Sequence, residues 1–167
     1  MANAILTIGV PGSGKTTFAK NFAKEQNLDY ICPDEIRHDR FEEGFDPENQ
    51  TEVWREAKLQ VRESLRENRS LLLDSTMVDK NSRVSMINFI TSIDPEAEII
   101  AMHFDVPLEI CLERNANRER HVPEHVIKSM FNRLEHNPVS ESEGFSNIIK
   151  LDEMGQEIRN EFKIPRS

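Results

Sequence analysis

The segment that most limits the fold of this chain is a glycine-rich stretch near its N-terminus, Gly9 to Thr16, which reads G-x-x-x-x-G-K-T. An apolar run over residues 4–8 precedes it, and a helix-like pattern over residues 17–24 follows it. In this setting the glycines let consecutive backbone N–H groups turn inward around phosphate oxygens. The following helix adds the positive end of its dipole. The segment therefore predicts a phosphate-binding loop for a nucleoside triphosphate.

The loop also predicts the residues that contact the nucleotide and its metal. Lys15 would reach the β- and γ-phosphates, and the Thr16 hydroxyl is placed to hold Mg²⁺. The predicted cofactors are ATP, or another nucleoside triphosphate, and Mg²⁺. The residues expected to bind the nucleotide from the loop are Gly12, Ser13, Gly14, Lys15, Thr16 and Thr17.

Short apolar runs alternate with helical patterns along the chain. The runs cover residues 4–9, 29–32, 70–74, 98–104 and 147–151. Helical patterns cover residues 15–26, a long segment after the turn at 45–47, and residues 81–92, 107–117, 123–136 and 153–162. This order predicts an α/β fold with a doubly wound, five-stranded parallel sheet, in a single domain over residues 1–167. Residues 138–146 are predicted to form a flexible surface loop.

Composition excludes some classes of protein. No apolar run approaches the ~20 residues that span a bilayer, and the N-terminus lacks the pattern of a secretory signal. We therefore expect a cytoplasmic protein with no membrane partner. The net charge of −9 argues against broad, sequence-blind nucleic-acid binding, which depends on neutralising phosphates. A local basic site remains compatible with it.

Four residues that could be mistaken for functional groups are expected in the core. Cys32 and Cys111 fit no metal or redox spacing and are predicted to be buried. His103 lies within the fourth apolar run and is predicted to be a core histidine. Trp54 is predicted to be an apolar anchor for the long helix.

Charged residues follow the second predicted strand, where Asp34 is three residues before Arg37. Ligands of a parallel sheet gather at the carboxyl ends of its strands, so Asp34 would accept the proton of an attacking hydroxyl. Arg37, on the same helical face, would hold an anionic group of the acceptor. The alternative is that Asp34 caps the short helix that follows.

An acid also follows the third predicted strand. Asp74 comes directly after a fully apolar run, where an acid in phosphate-loop enzymes orients Mg²⁺ or its water shell. From there it would also contact Thr16. The alternative is a structural cap for the next segment.

A third group is the arginine-rich segment at residues 114–121. Arg114 and Arg118, four residues apart, would share a helix face and close over the triphosphate as a lid. The alternative is a solvated helix end whose arginines interact with the negative end of the helix dipole. For Arg120, the sequence does not favour either of these two roles.

These features favour transfer of a γ-phosphoryl group to a hydroxyl over the other activities of phosphate-loop proteins. The chain has no N-K-x-D guanine-reading motif, and it is short for a remodelling ATPase. Two alternatives remain. One is a kinase for a small-molecule hydroxyl such as a sugar, nucleoside or antibiotic. The other is a nucleotide-dependent switch that acts through a partner.

The chain resembles the kinase domain of the polynucleotide 5′-hydroxyl kinases, including the phage polynucleotide kinase–phosphatase. The resemblance covers residues 5–130 and rests on I-L-T-I-G-V-P-G-S-G-K-T-T-F-A-K at 5–20, D-E-I-R at 34–37, L-L-D-S-T at 72–76, F-D-V-P at 104–107, R-N-A-N-R at 114–118 and V-P-E-H-V-I-K-S-M at 122–130. The succession of the last three motifs is the most specific part.

This resemblance implies an ATP- and Mg²⁺-dependent kinase of P-loop type, with an arginine-bearing lid, that acts on 5′-hydroxyl ends of RNA or DNA. It implies that Asp34 is the general base and that Arg37 binds the phosphate 3′ of the acceptor nucleoside. Asp74 would lie beside the loop and the metal, and Arg118 would contact the donor phosphates from the lid. Catalysis would then rest on Asp34, Lys15 and Arg118.

Overall fold

One parallel sheet, with strand order β2-β3-β1-β4-β5, forms the centre of the fold. The computed structural model describes residues 2–41, 47–119 and 121–158. The strands are β1 (Asn3–Ile8), β2 (Asp29–Ile31), β3 (Leu71–Leu73), β4 (Glu98–Phe104) and β5 (Asn147–Leu151). The helices are α1 (Lys15–Glu25), α2 (Pro33–Arg40), α3 (Pro47–Arg66), α4 (Lys80–Ile93), α5 (Leu108–Ala116) and α6 (Glu124–His136). The predicted α/β fold with a five-stranded parallel sheet is confirmed.

The central strand β1 brings the carboxyl ends of its neighbours together. Ile5 lies opposite Leu72 of β3 and Ile100 of β4, and both pairings are parallel. Strand β3 consists of three consecutive buried leucines, as expected for a strand covered on both faces. Because all five strands run in one direction, the segments that leave their carboxyl ends meet at one edge of the sheet.

The side chains of β1 alternate between two hydrophobic clusters, one on each face of the sheet. Leu6 and Ile8 belong to the cluster that also contains buried residues of α3 and α4. Ile5 belongs to the opposite cluster, which contains buried residues of α1, α5 and α6. The period of two along the strand therefore produces the helix layers on both faces.

Helix α3 is held by a stripe of apolar residues four positions apart. Val53, Ala57, Val61 and Leu65 are all buried, because this spacing places them on one helix face. Trp54 lies beside this stripe, half-buried against the same cluster, in agreement with its predicted role as an apolar anchor.

The prediction of a flexible surface loop over residues 138–146 is wrong. Residues Glu141–Glu143 form a 3₁₀ turn that is closed by a capping box between Ser140 and Glu143. Glu143 and Phe145 are buried. The polar composition of the segment suggested exposure to solvent, but the Glu143 carboxylate forms an ion pair with a buried side chain of the protein interior.

That partner is Arg83 of α4, and both side chains are almost fully inaccessible to solvent. Arg83 Nε donates to Glu143 Oε1 at 2.9 Å. Its two terminal nitrogens donate to the carbonyl of Met77 at 2.9 Å and to that of Asn137 at 2.6 Å. Every described polar group of the pair therefore has a partner, which is what burial of two charges requires.

The predicted helix over residues 153–162 is wrong for its described part. Residues after β5 form a turn, and Glu157 makes an antiparallel bridge with Leu151. The Asp152 carboxylate accepts the backbone N–H groups of Met154 and Gln156, each at 2.9 Å. Such local bonds compete with helix formation. Residues 159–162 lie outside the described residues.

Within residues 2–41, 47–119 and 121–158, no helix has both the length and the apolar character needed to cross a bilayer.

Candidate active site

The phosphate-binding loop connects β1 to α1 and is shaped by two glycines with positive φ, Gly12 at 88° and Gly14 at 87°. Side chains rarely adopt this backbone region. A Cβ at Gly12 would also lie 2.3 Å from the carbonyl oxygen of Cys111, so α5 packs directly against the loop. Gly14 occupies the N-cap of α1 and Lys15 begins the helix, as the motif predicts.

The loop forms one wall of a cavity of about 350 Å³, which we call the loop cavity. The predicted nucleotide-binding residues Gly12, Ser13, Gly14, Lys15, Thr16 and Thr17 all line it. On the opposite side it is lined by residues from other strand ends and from the segment after α5: Asp34, Thr76, Arg114, Arg118 and Val122. The fold therefore brings the predicted loop, acid and lid residues to one cavity.

A second cavity of about 280 Å³, the side cavity, adjoins the first. Its lining includes Arg37 and Gln50 on one side and the apolar side chains of Trp54, Val126 and Met130 on the other. The two cavities share four lining residues, Pro11, Asp34, Thr76 and Val122. Of these four, Asp34 carries a charge, so a carboxylate stands where the two spaces meet.

Asp34 and Arg37 form an ion pair on the first turns of α2. Arg37 Nη1 lies 2.5 Å from Asp34 Oδ1, and the Arg37 side chain is 16% exposed whereas that of Asp34 is 74% exposed. Gln50 of α3 accepts from Arg37 Nε at 3.1 Å and from Nη2 at 2.7 Å. Arg37 is therefore held in place, while the Asp34 carboxylate stays accessible from the cavities.

The alternative role of Asp34 as a helix cap is wrong. Helix α2 begins at Pro33, Cys32 occupies its N-cap, and Asp34 lies within the first turn. Proline is favoured at the first helical position because its missing N–H would be unpaired there anyway, so the helix starts two residues earlier than an Asp34 cap would require.

Asp74 is buried behind Lys15. Its Oδ1 lies 3.5 Å from Lys15 Nζ and 3.3 Å from Thr7 Oγ1, and its Oδ2 accepts the hydroxyl of Tyr30. The expected contact with Thr16 does not occur in the described part of the chain. Asp74 lines the side cavity and not the loop cavity. Its position favours action on Lys15 over direct contact with a metal ion.

The surroundings of Asp74 shift the pKa values of two neighbouring groups. Burial raises the pKa of the Tyr30 hydroxyl, and its hydrogen bond to the Asp74 carboxylate raises it further. Burial also raises the pKa of the Cys32 thiol, with the Asp74 charge as the second cause. Tyr30 is therefore a neutral donor to Asp74 at pH 7, and Cys32 is a protonated thiol.

The two described arginines of the lid segment have different surroundings. Arg114 Nη1 donates to the carbonyl of Ser13 at 3.2 Å, and Nη2 donates to that of Glu153 at 2.5 Å. It thus joins the phosphate-binding loop to the segment after β5. Arg118 lines the loop cavity. Arg120 lies outside the described residues.

The predicted shared helix face of Arg114 and Arg118 is wrong. Helix α5 ends at Ala116, with Asn117 at its C-cap, so Arg118 lies beyond the helix. Asn115 explains this end, because its side chain bonds the backbone of Val122 and turns the chain back.

The remaining predicted core residues are buried. Cys32 and Cys111 are free, buried thiols, and burial raises the pKa of Cys111 to about 11. His103 is 9% exposed, and burial lowers its pKa to about 4. It is therefore a neutral core histidine at pH 7, as expected.

Mg²⁺ would be held through Thr16 and the phosphates of the nucleotide. Residues 2–41, 47–119 and 121–158 contain no cluster of three or more His, Cys, Asp or Glu side chains able to bind a metal. Mg²⁺ does not need one, since it keeps several waters and is often bound through substrate phosphates. Thr16 is exposed in the wall of the loop cavity, so the residues present fit such a site.

Sequence reasoning missed several residues that complete the site. Thr7 had a detectable signal, because it is a polar residue within the apolar run over residues 4–8. Its hydroxyl accepts the Ser75 N–H at 2.9 Å. Gln50 had none, because its contact with Arg37 depends on how α3 lies against α2. The same holds for Tyr30 and Asn115, whose partners are distant in sequence or lie across a turn.

Comparison with known proteins assigns the chain that carries this site to a protein family. A protein-family model named AAA_33 and described as an AAA domain matches residues 5–136, which include the loop, Asp34, Asp74 and both described lid arginines. The chain belongs to the AAA_33 family.

Three individual proteins that resemble this chain are each less than 30% identical to it in sequence. The L-seryl-tRNA(Sec) kinase of Methanococcus maripaludis is 28% identical over 143 residues, which are 78% of this chain and 52% of the relative. A chain from a structure of the Pnkp1/Rnl/Hen1 RNA repair complex has a TM-score of 0.72 and 23% identity, over 81% of this chain and 44% of that one. A sugar kinase from Janibacter sp. HTCC2649 has a TM-score of 0.66 and 20% identity, over 92% and 87%.

The family match and the fold of these neighbours support a P-loop α/β domain. The neighbours differ in the acceptor that their names imply, which ranges from tRNA-bound serine to a sugar. This chain spans about half the length of its Methanococcus relative. The choice of acceptor therefore rests on the chemistry of the site.

Proposed function

We propose that this AAA_33 protein is an ATP- and Mg²⁺-dependent kinase that phosphorylates the 5′-hydroxyl of RNA or DNA ends. The observation that carries the proposal is the placement of Asp34 where the loop cavity and the side cavity meet. A donor phosphate in one cavity and a hydroxyl in the other would approach each other beside this carboxylate.

The side cavity has the chemistry of an acceptor site for a nucleotide. Its volume of about 280 Å³ is at the lower end of the range for small-ligand pockets. The Arg37 guanidinium at one side suits a phosphate, which arginine binds bidentately. Trp54, Val126 and Met130 provide an apolar wall on which a nucleobase would pack.

Each predicted site residue then has a role in the transfer. Asp34 accepts the proton of the 5′-hydroxyl, and Arg37 binds the adjacent 3′-phosphate of the acceptor. Lys15 and Arg118 neutralise charge on the donor phosphates. Asp74 orients Lys15, and Arg114 fixes the loop that carries Ser13. Phosphoryl transfer has a loose transition state, so positioning and neutralisation account for most of the catalysis.

Mg²⁺ would supply positive charge that neutralises the donor phosphates when it is bound with the nucleotide. Thr16 would hold it, with Asp74 acting on the site through Lys15 or through a metal-bound water.

The names of two relatives favour an RNA acceptor without deciding it. The Methanococcus relative is named for a kinase that acts on a tRNA-bound group, and the neighbour in the Pnkp1/Rnl/Hen1 structure belongs to an RNA repair complex. The sugar kinase neighbour keeps a small-molecule acceptor as the second candidate, and the net charge of −9 favours that candidate slightly.

The deciding experiment is acceptor profiling with γ-labelled ATP and Mg²⁺. The panel holds 5′-OH RNA and DNA oligonucleotides, the same oligonucleotides with a 5′-phosphate, nucleosides, sugars and gluconate. We expect label on the 5′-OH oligonucleotides and none on their 5′-phosphorylated counterparts. Label on a sugar or nucleoside alone would replace the proposal by the small-molecule alternative. A stable ATP complex with no labelled acceptor would indicate a nucleotide-dependent switch.

The role of Arg37 predicts a change of acceptor preference in Arg37→Ala. Wild-type protein should phosphorylate a nucleoside 3′-phosphate with a higher kcat/KM than the nucleoside itself. A charge-assisted bond to phosphate contributes about 1.5–3 kcal/mol, so Arg37→Ala should lower this preference about 10- to 100-fold. The ratio of the two kcat/KM values measures the effect.

Arg40→Ala is the matched control for this substitution. Arg40 lies on the same helix but pairs with Glu56 at 3.0 Å and does not line the side cavity. Its removal should leave the ratio unchanged. An unchanged ratio in Arg37→Ala as well would show that Arg37 does not bind the acceptor phosphate.

A further inference from the structure

The Asn115 side chain clamps the point where the lid segment returns to the core. Its Nδ2 donates to the carbonyl of Val122 at 2.7 Å, and its Oδ1 accepts the Val122 N–H at 2.9 Å. Asn115 is 4% exposed. One amide thus satisfies both backbone groups of a residue seven positions along the chain.

Both ends of this clamp belong to the site. Val122 lines the loop cavity and the side cavity. The Asn115 backbone carbonyl accepts the N–H of Arg118 at 3.2 Å, and the neighbouring Arg114 is bonded to the loop at the Ser13 carbonyl. Arg118 therefore lies in a segment whose start is tied to the phosphate-binding loop and whose end is tied to Asn115.

We propose that Asn115 is a positioning residue that sets the place of Arg118 over the donor phosphates. It does not line either cavity, so it acts through the segment that it closes. Without the two side-chain bonds, the ends of this segment are free to separate. Binding of the nucleotide would then have to order the segment around Arg118, which costs conformational entropy. An arginine held in place beforehand stabilises phosphate charge without that cost.

The inference rests on the donor part of the proposed function and is independent of the acceptor. Its test therefore measures ATP binding, by displacement of a fluorescent ATP analogue, in wild-type protein, Asn115→Ala, Arg118→Ala and the double variant. Arg118→Ala should weaken ATP binding about 10- to 100-fold, and Asn115→Ala should weaken it about 5- to 10-fold. In the Arg118→Ala background, Asn115→Ala should change the affinity less than about twofold, because the two residues act as one unit.

Controls separate positioning from general damage to the fold. Asn117→Ala makes the same change at an exposed position two residues away and should bind ATP like wild type. Asn115→Asp keeps the size of the side chain and its acceptor for the Val122 N–H but removes the donor. Its carboxylate is buried against the Val122 carbonyl, so its unfolding midpoint should fall below that of wild type. Under conditions where it is folded, its loss of affinity should show the same dependence on Arg118.

The outcomes decide the inference in either direction. Equal effects of Asn115→Ala with and without Arg118 would overturn it, as would unfolding of both Asn115 variants, since either result assigns Asn115 to stability alone. Normal ATP binding in wild type with no transfer to any 5′-hydroxyl end would reject the proposed acceptor and leave this inference intact.

Discussion

Replacing Asp34 by asparagine is expected to lower kcat for phosphoryl transfer by about 10²- to 10⁴-fold, the usual contribution of a positioned general base. The amide keeps the size of the side chain but cannot accept the proton of the attacking hydroxyl. ATP affinity should stay within about twofold of wild type, because the Asp34 side chain is 74% exposed and already paired with Arg37, and such solvated charges contribute little to binding. Single-turnover transfer rates and ATP dissociation constants measure the two quantities separately.

Asp39→Asn is the matched control for this prediction. Asp39 lies on the same helix and is exposed, but it lines neither cavity. The control should transfer phosphate at the wild-type rate. If Asp34→Asn also kept a rate near that of wild type, Asp34 would not be the base, and another group would have to receive the proton.

The second large effect concerns stability and the buried Arg83–Glu143 pair. Arg83→Met should lower the free energy of unfolding by on the order of 3–5 kcal/mol, because it leaves the Glu143 charge buried without its partner. The bonds from Arg83 to the carbonyls of Met77 and Asn137 are lost as well. Replacing both charges, in Arg83→Met/Glu143→Leu, should restore a large part of the loss. Urea unfolding of the variants measures these differences.

An exposed arginine on α3 provides the comparison. Arg55 pairs with Glu52 at 2.8 Å, and both side chains are about half exposed, so Arg55→Met should cost less than about 1 kcal/mol. A cost of similar size for Arg83→Met would mean that Glu143 is neutral or hydrated in the folded protein. The capping box of the 3₁₀ turn would then be the main constraint on that segment.

Local sequence was sufficient to predict the parts of the site that depend on chain direction and short-range geometry. The G-x-x-x-x-G-K-T segment fixes its own backbone, since Gly12 and Gly14 have the positive φ angles that the loop needs. Asp34 and Asp74 follow apolar runs, and a parallel sheet brings the residues after its strands to one edge. Their place beside the loop therefore followed from the pattern of elements alone.

Partners distant in sequence decided the features that were predicted wrongly or missed. The segment over residues 138–146 is rich in serine and glutamate, and only the approach of Arg83 makes burial of Glu143 possible. The end of α5 depends on Asn115, whose bonds to Val122 cross a turn. The helical pattern of the sequence continues past Ala116. In the folded protein these bonds turn the chain back, so Arg118 lies outside the helix.

The close approach of Lys15 and Asp74 also bears on which anions this protein retains. In the proposed kinase, an incoming phosphate would compete for the ammonium group with the Asp74 carboxylate, which lies 3.5 Å from it. A single orthophosphate has fewer oxygens and less charge with which to compete for Lys15. A triphosphate carries more charge and would also accept hydrogen bonds from the backbone N–H groups of the whole loop. We therefore expect this internal competitor to favour the triphosphate donor over inorganic phosphate, and to favour release of the diphosphate product because Asp74 offers Lys15 an alternative partner.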